Sequence, residues 1–343
     1  MSRWLLGCLL AATTFQVAAA QDVQVIPDEA HQRVNIAIDG KPFTSFVWPS
    51  TLKKPVLYPL ITADGIDVTR GYPLAPRPGE RTDHPHHAGL WFNYGNVNGF
   101  DFWNNSDAIP EANRAKMGTI HKERIVSYKS GPRSGQLIVD SLWTTGAGQN
   151  ILEQTTRYVF SQKGKERMID QVVTLHALDK IVFHDDKEGL LGLRVAHWLE
   201  SPDEKGGTFT DASGRPTQVQ PSNLPGATGV YLTSEGKQAG AAWGTRGRWC
   251  ALTGSTDGHQ VTIVIFDHPN NPNYPTYWHA RGYGLFAANP LGQHIFDSKA
   301  PQLDYTVEKD QNVTFTYRIL LLPGPARPKE LNKAADAFAA EYR

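Results

Sequence analysis

The stretch Asp83-His84-Pro85-His86-His87 places three of the chain's twelve histidines within four positions, beside an acid and ahead of the apolar run Ala88–Phe92. Imidazole changes charge near neutral pH and is also the commonest nitrogen ligand for metals, so this spacing admits proton transfer or metal ligation. Pro85 cannot donate to a sheet ladder, which places the stretch in a loop or at a strand entry. If it is extended, His84 and His86 share one side and His87 takes the other. A His-x-His pair offers a divalent transition metal two imidazoles, and further ligands must come from elsewhere; His84, His86 and His279 are the candidates. Hydrogen bonding to loop carbonyls explains a lone histidine better than a cluster of three beside Asp83.

A second block, Tyr277 to Gly284, reads YWHARGYG. In an extended segment Tyr277, His279, Arg281 and Tyr283 fall on one face, a stripe that needs partners if buried and is otherwise open to solvent. A base, a phenolic acid and a cation are what proton abstraction beside a carbonyl or carboxylate requires. From Asp185 to Glu200 a period of two sets Leu191, Leu193, Val195, His197 and Leu199 on one face, making His197 a core histidine. Arg194, Trp198 and Glu200 share the other face, where Arg194 and Glu200 either hold a hydroxyl-rich or carboxylate ligand or pair with each other. Between Asn93 and Asn105, turn-forming amides alternate with Phe100, Phe102 and Trp103, following Trp91. A sugar pocket and Asx turns over packed rings explain that pattern about equally.

The candidate catalytic set is therefore His84, His86, His87, His279 and Tyr277. Candidate substrate-binding residues are Arg70, Asp83, Trp91, Asn98, Asp101, Trp103, Arg194, Glu200, His268, Arg281 and Asn289, with Arg70, Arg194 and Arg281 orienting substrate oxygens. No clear acidic pair supports two-carboxylate hydrolysis. Nucleophile-elbow, zinc-helix, phosphate-loop and dinucleotide signatures are all missing from the sequence.

The elements that must position these residues read as strands. Short runs such as GQLIVDSLWTT, ILEQTTRYVFSQ, ERMIDQVVTLHAL, HQVTIVIFD and NVTFTYRILLL are separated by Gly, Pro, Asn and Asp. They predict an all-β chain built as a large antiparallel β-sandwich. VTIVIF lacks alternation and is expected to be covered on both faces, whereas NVTFTYRI alternates and is expected to be covered on one. One helix is expected over 328–342, with Leu331, Ala335, Phe338 and Tyr342 on the stripe that docks outside the sandwich. Segments Pro73–Gly79 and Pro216–Gly229 read as long loops over one face.

Residues 1–20 read as a cleaved signal peptide, which leaves 21–343 as a single exported domain with Cys250 as its one cysteine, a buried small residue. Leu5-Leu6-Gly7-Cys8 is the rival lipoprotein reading. Lysine plus arginine and aspartate plus glutamate number 34 each, so no broad field attracts nucleic acid or an anionic membrane. No later segment approaches the ~20 apolar residues of a membrane span.

The blocks DHPHHAGLWFNYGNVNGFDFW, KEGLLGLRVA and HPNNPNYPTYWHARGYGLFAANPLG, in this order, resemble the secreted bacterial family called PmoA-like, or "methane oxygenase PmoA". The resemblance covers nearly all of the chain after residue 20. Ala88 stands where that pattern often has arginine, and Gly282 where it has aspartate, so neither a cation after the histidines nor a carboxylate for His279 or Arg281 carries over. A particulate methane-oxygenase subunit is a bundle of membrane-spanning helices, which this sequence does not offer after its first segment. What the resemblance implies is an exported protein of sugar-degrading systems with a galactose-mutarotase-like supersandwich. The expectation is a periplasmic or secreted carbohydrate-active enzyme working by His/Tyr/Arg-assisted proton transfer, of lyase or epimerase type, on a saccharide. A histidine-ligated hydrolytic or redox metal protein and a non-catalytic glycan-binding module are the alternatives. Each role assumes that His86 and His279 meet in one hollow.

Overall fold

Alternating side chains make each long strand amphipathic, and two sheets bury their apolar faces against each other. The computed structural model describes residues 22–202, 205–220 and 226–342; the segment read as a signal peptide lies outside them. One sheet has nine strands in the order Tyr277–Arg281, Leu285–Asn289, Gly189–Arg194, Leu90–Tyr94, Val56–Leu57, Lys41–Val47, Arg33–Ile38, Asp22–Asp28 and Gly131–Pro132. The other has eight, in the order Val230–Thr233, Trp249–Thr256, His259–Asp267, Asn312–Pro323, Glu166–Ala177, Asn150–Lys163, Ser134–Thr145 and Gly118–Lys129. Ring pairs Phe43–Phe160, Phe92–Phe315 and Tyr231–Phe286, with centroids 6.2, 5.7 and 5.3 Å apart, join the sheets across the core. The chain is thus mostly β, an antiparallel sandwich with one long helix at its C-terminal end.

Strand His259–Asp267 is covered on both faces, as its unbroken apolar run predicts. Val261, Ile263 and Ile265 enter the inter-sheet core, while Val264 and Phe266 lie under helix Pro328–Ala340. In Asn312–Pro323 the expected alternation holds only at the start, where Thr314 is exposed; Leu320 is already beneath the helix. The helix buries Leu331, Ala335 and Phe338. It ends at Ala340 rather than 342, because Tyr342 turns back to donate its hydroxyl to Asp170 at 2.7 Å. Asp170 also takes two bonds from Arg318, at 2.6 and 2.8 Å. Leu331→Ala removes a contact at the edge of this interface and is expected to cost about 2 kcal/mol in urea unfolding, at the low end for buried leucines. No change in the midpoint would mean the helix is not docked through this stripe.

Two boundaries differ from the sequence reading, for one reason. The hairpin between Arg281 and Leu285 is closed by Gly284 at φ +91°, a conformation that side chains other than glycine rarely adopt. Strand Tyr277–Arg281 therefore stops before Tyr283, which sits in the turn. The ladder of the neighbouring strand ends at Arg194–Leu285, with a single bond from Val195 to Gly284 and an isolated bridge across to Thr69 beyond it. His197 consequently lies in a short 3-10 turn with its Nδ1 3.0 Å from Glu200, and not among leucines. Of the loop expected over 216–229, Pro216–Val219 pairs with Gly207–Thr210, and 221–225 lie outside the described residues. Among the described residues no helix is long and apolar enough to cross a membrane.

Candidate functional site

The outer face of the nine-stranded sheet carries most of the predicted residues. The strand registers align His279, Ala287, Gly192 and Trp91 in one row across four strands. Trp91 lies over Gly192 so closely that a Cβ there would meet its indole at 2.5 Å. Trp103 packs edge-on against Trp91 at 5.1 Å, and His87 stacks on it at 5.3 Å. Trp103 Nε1 points at His87 Nε2 from 3.2 Å, and Arg194 Nη1 faces Nδ1 from 3.3 Å. Both neighbours are donors, and a neutral imidazole has one lone pair to accept with. Burial, then His86 and Arg194, hold His87 well below the ordinary imidazole range, so it stays neutral.

Arg70 shapes the histidine loop. Its buried guanidinium donates to the carbonyls of Asp83, His84 and His87 at 2.8, 3.0 and 2.9 Å, and to Asp83 Oδ1 at 2.7 Å. Arg194, equally buried, donates to the same Oδ1 at 2.6 Å. Burial alone would raise Asp83, but the His84 contact and the two guanidinium groups outweigh it and hold the carboxyl well below its usual range. Asp83 Oδ2 stands 3.1 Å from His84 Nδ1. Donation from Nδ1 leaves the lone pair on Nε2. His84 is the exposed member of the cluster, with 40% of its side chain accessible. Its ring lies parallel to those of His87 and Tyr283, at 4.9 and 5.0 Å. Arg70 and Arg194, expected to hold substrate oxygens, thus hold the protein's own acid and loop.

His86 is largely buried and packs edge-on against His87 at 4.3 Å. Burial, with the Lys54 ammonium next in weight, lowers it to about 2. Lys54 donates to the His86 carbonyl at 2.7 Å and lies 5.2 Å over the Trp91 ring. Burial brings this amine down to about 7, partly offset by Asp101. His86 Nε2, Trp91 Nε1, Asn93 Oδ1, Glu200 Oε1 and the Nε atoms of Arg70 and Arg194 are buried without hydrogen-bond partners among the described residues. Interiors rarely leave such atoms unpaired, and their concentration on one face marks it as the candidate site.

The second block reaches this loop through Tyr283. Three strand spacings, roughly 14 Å, separate the backbones of His279 and Trp91 along the shared row; the rings around His279 are Trp243 and Phe296 and not His86, and the two blocks touch through the stacking of Tyr283 on His84. His279 Nδ1 donates to the Lys187 carbonyl at 2.9 Å, with Glu188 3.9 Å away and Trp243 and Phe296 as ring neighbours. Tyr277 is buried against Phe296, with the Arg246 guanidinium over its ring, and is not placed to act as an acid on a ligand near His84. Exposed Arg281 lies 5.8 Å from both Trp243 and Tyr283. These three line a hollow of about 380 Å3.

Other predicted residues have local structural tasks. Asn98 brackets the strand Ile181–Phe183 through the Lys180 carbonyl and the Val182 amide. Asp101 accepts from the Trp103 and Asn104 amides, which sets the turn presenting Trp103. Asn289 caps its own turn through Leu291 and Gly292. Glu200 is buried and takes Arg81 at 2.9 Å. His268 belongs to the other side of the molecule, bonded to the Glu341 carbonyl and packed on Phe338. Among the described residues no three His, Cys, Asp or Glu side chains converge to hold a metal ion, so His84, His86 and His279 are not a ligand set.

Burial also lowers His279, to about 4, against smaller opposing effects of Glu188 and the Lys187 carbonyl. Below its ordinary value the folded chain binds fewer protons than the unfolded one. Stability present above pH ~6.5 is therefore lost as pH falls toward 4, by about 3 kcal/mol for His279 alone. Urea midpoints should fall across that window, and less steeply for His279→Gln. A flat wild-type profile would contradict the burial of neutral imidazoles.

Sequence reasoning did not select Lys54 or Trp243, which lack any local signal, and left Tyr283 out of the candidate set. No curated protein matches the chain. Among solved structures it is similar to galactose 1-epimerase from Lactobacillus acidophilus NCFM, at 10% identity over 90% of this chain and 100% of that one, TM-score 0.38. It is also similar to the GH36 α-galactosidase AgaB from Geobacillus stearothermophilus, at 11% identity over 88% of this chain and 41% of that one, TM-score 0.37. These are likenesses of β architecture and place no residue. Residues 33–336 match the model of a family of unknown function, DUF6807, and the chain belongs to that family.

Proposed function

We propose that the protein is an exported enzyme that binds a saccharide in the hollow walled by Trp243, Arg281 and Tyr283 and moves a proton with His84. The observation that carries this reading is the Asp83–His84 pair: a carboxylate fixed by two buried guanidinium groups orients an exposed imidazole, and that ring stacks on a wall of the hollow. In this reading His84 Nε2 removes a proton from a sugar carbon, and Arg281 steadies the charge that develops on the neighbouring oxygen. Burial raises the Tyr283 phenol to about 12, so it remains a proton donor at neutral pH. Trp243 offers a ring to the apolar side of a pyranose. Buried His86, His87 and His279, held neutral, support the site and do not titrate in it.

The test is proton NMR of the purified protein with a panel of neutral and acidic mono- and oligosaccharides in deuterated water. An epimerase exchanges a carbon-bound proton for deuterium, and a lyase yields an unsaturated product. Binding without exchange or product supports a glycan-binding module instead, and no binding by any saccharide removes the reading. N-terminal sequencing of protein recovered from the periplasm or medium checks export, with a start near Gln21 expected.

A further inference from the structure

A second cleft, of about 550 Å3, is walled by Trp48, Leu52, Lys53, Lys54, Asn105 and His121 among others. Lys54 is 4% exposed. Lysine is almost never buried to that degree unless a carboxylate sits beside it. Its neighbour Lys53 has such a partner, Asp107 at 2.5 Å. Among the described residues Lys54 instead makes one hydrogen bond, to the His86 carbonyl, and faces the Trp91 indole. Asp101, whose charge reaches it, has its oxygens engaged by the Trp103 and Asn104 amides and the Asn104 side chain. Burial outweighs that charge and draws the amine toward its neutral form, and a neutral amine is a nucleophile.

We propose that Lys54 is the reactive amine of a second site, where the cleft admits a small aldehyde or keto acid and Nζ takes up its carbonyl carbon as an imine. The cleft wall carries Lys53, Arg114 and Lys122 against Asp107 among the described residues, which favours a carboxylate on the carbonyl compound. In the step, the Nζ lone pair forms the C–N bond while the carbonyl π pair moves to oxygen. With one proton from solvent, the carbinolamine loses water and leaves a protonated imine; nothing is oxidised or reduced. The proposal does not rest on the Asp83–His84 reading.

The test uses the whole chain with glyoxylate and cyanoborohydride at neutral pH, followed by peptide mapping. Carboxymethylation is expected at Lys54 at least about tenfold above Lys53 or Lys122, because a desolvated amine is the one free to attack. An unmodified Lys54, or one labelled no faster than surface lysines, overturns the proposal. Lys54→Met should lose that adduct alone and keep the surface labelling; since the wild-type map is decisive by itself, poor folding of the variant does not shelter the idea. Propanal should label Lys54 more slowly than glyoxylate, and equal rates would overturn the preference for an acid.

Discussion

His84→Ala lowers turnover of the saccharide by about 10²–10⁴-fold, the usual contribution of a positioned acid or base. The expectation follows from its place in the cluster: the exposed imidazole whose Nδ1 meets Asp83 Oδ2 and whose ring lies flat on Tyr283. The fold should survive, since a half-exposed loop side chain with 40% accessibility contributes little core burial. Added imidazole should restore part of the rate, which a purely structural role for His84 would not allow. Asp83→Asn is a positioning change: it keeps the shape but removes the charge that selects the Nδ1–H tautomer. The pH dependence of turnover should then shift as well as the rate. Unaltered turnover and pH profile in His84→Ala would remove this residue from the reaction.

Arg70→Met destabilises the fold by about 3–5 kcal/mol, the range for breaking a buried charge pair. One planar group here satisfies three loop carbonyls and a carboxylate oxygen at 2.7–3.0 Å. Its loss removes a donor from the Asp83 and His87 carbonyls, while the His84 carbonyl keeps the His87 amide, and it leaves Arg194 as the one guanidinium on Asp83 Oδ1. Burial, then the neighbouring Arg194, lowers Arg70 only to about 9, so it remains cationic at neutral pH. Lysine should not rescue the variant, because a single ammonium on a flexible stem cannot reproduce the fork. A urea-unfolding loss below about 1 kcal/mol would show that the loop does not depend on this anchor.

The sequence by itself determined what depends on neighbouring residues along the chain. Alternation is local, so strands Ser134–Thr145, Asn150–Lys163, Glu166–Ala177 and His259–Asp267 were legible, as was the helical stripe Leu331, Ala335, Phe338. The importance of the Asp83–His87 cluster was legible too, because such a density of imidazoles is chemically costly wherever it folds. Tertiary structure alone decided what each member does. Strand Leu90–Tyr94 is buried at every position and carries no alternation to read. The hairpin at Gly284 put Tyr283 off the stripe and onto His84, while the strand order set His279 three strands from Trp91. Arg70, thirteen positions before Asp83, and Arg194, far beyond it, meet on one carboxylate oxygen only because the loop crosses strand Gly189–Arg194. The reason is physical: periodicity follows from backbone geometry, whereas partners across a sheet follow from strand order, which no short stretch of chain encodes.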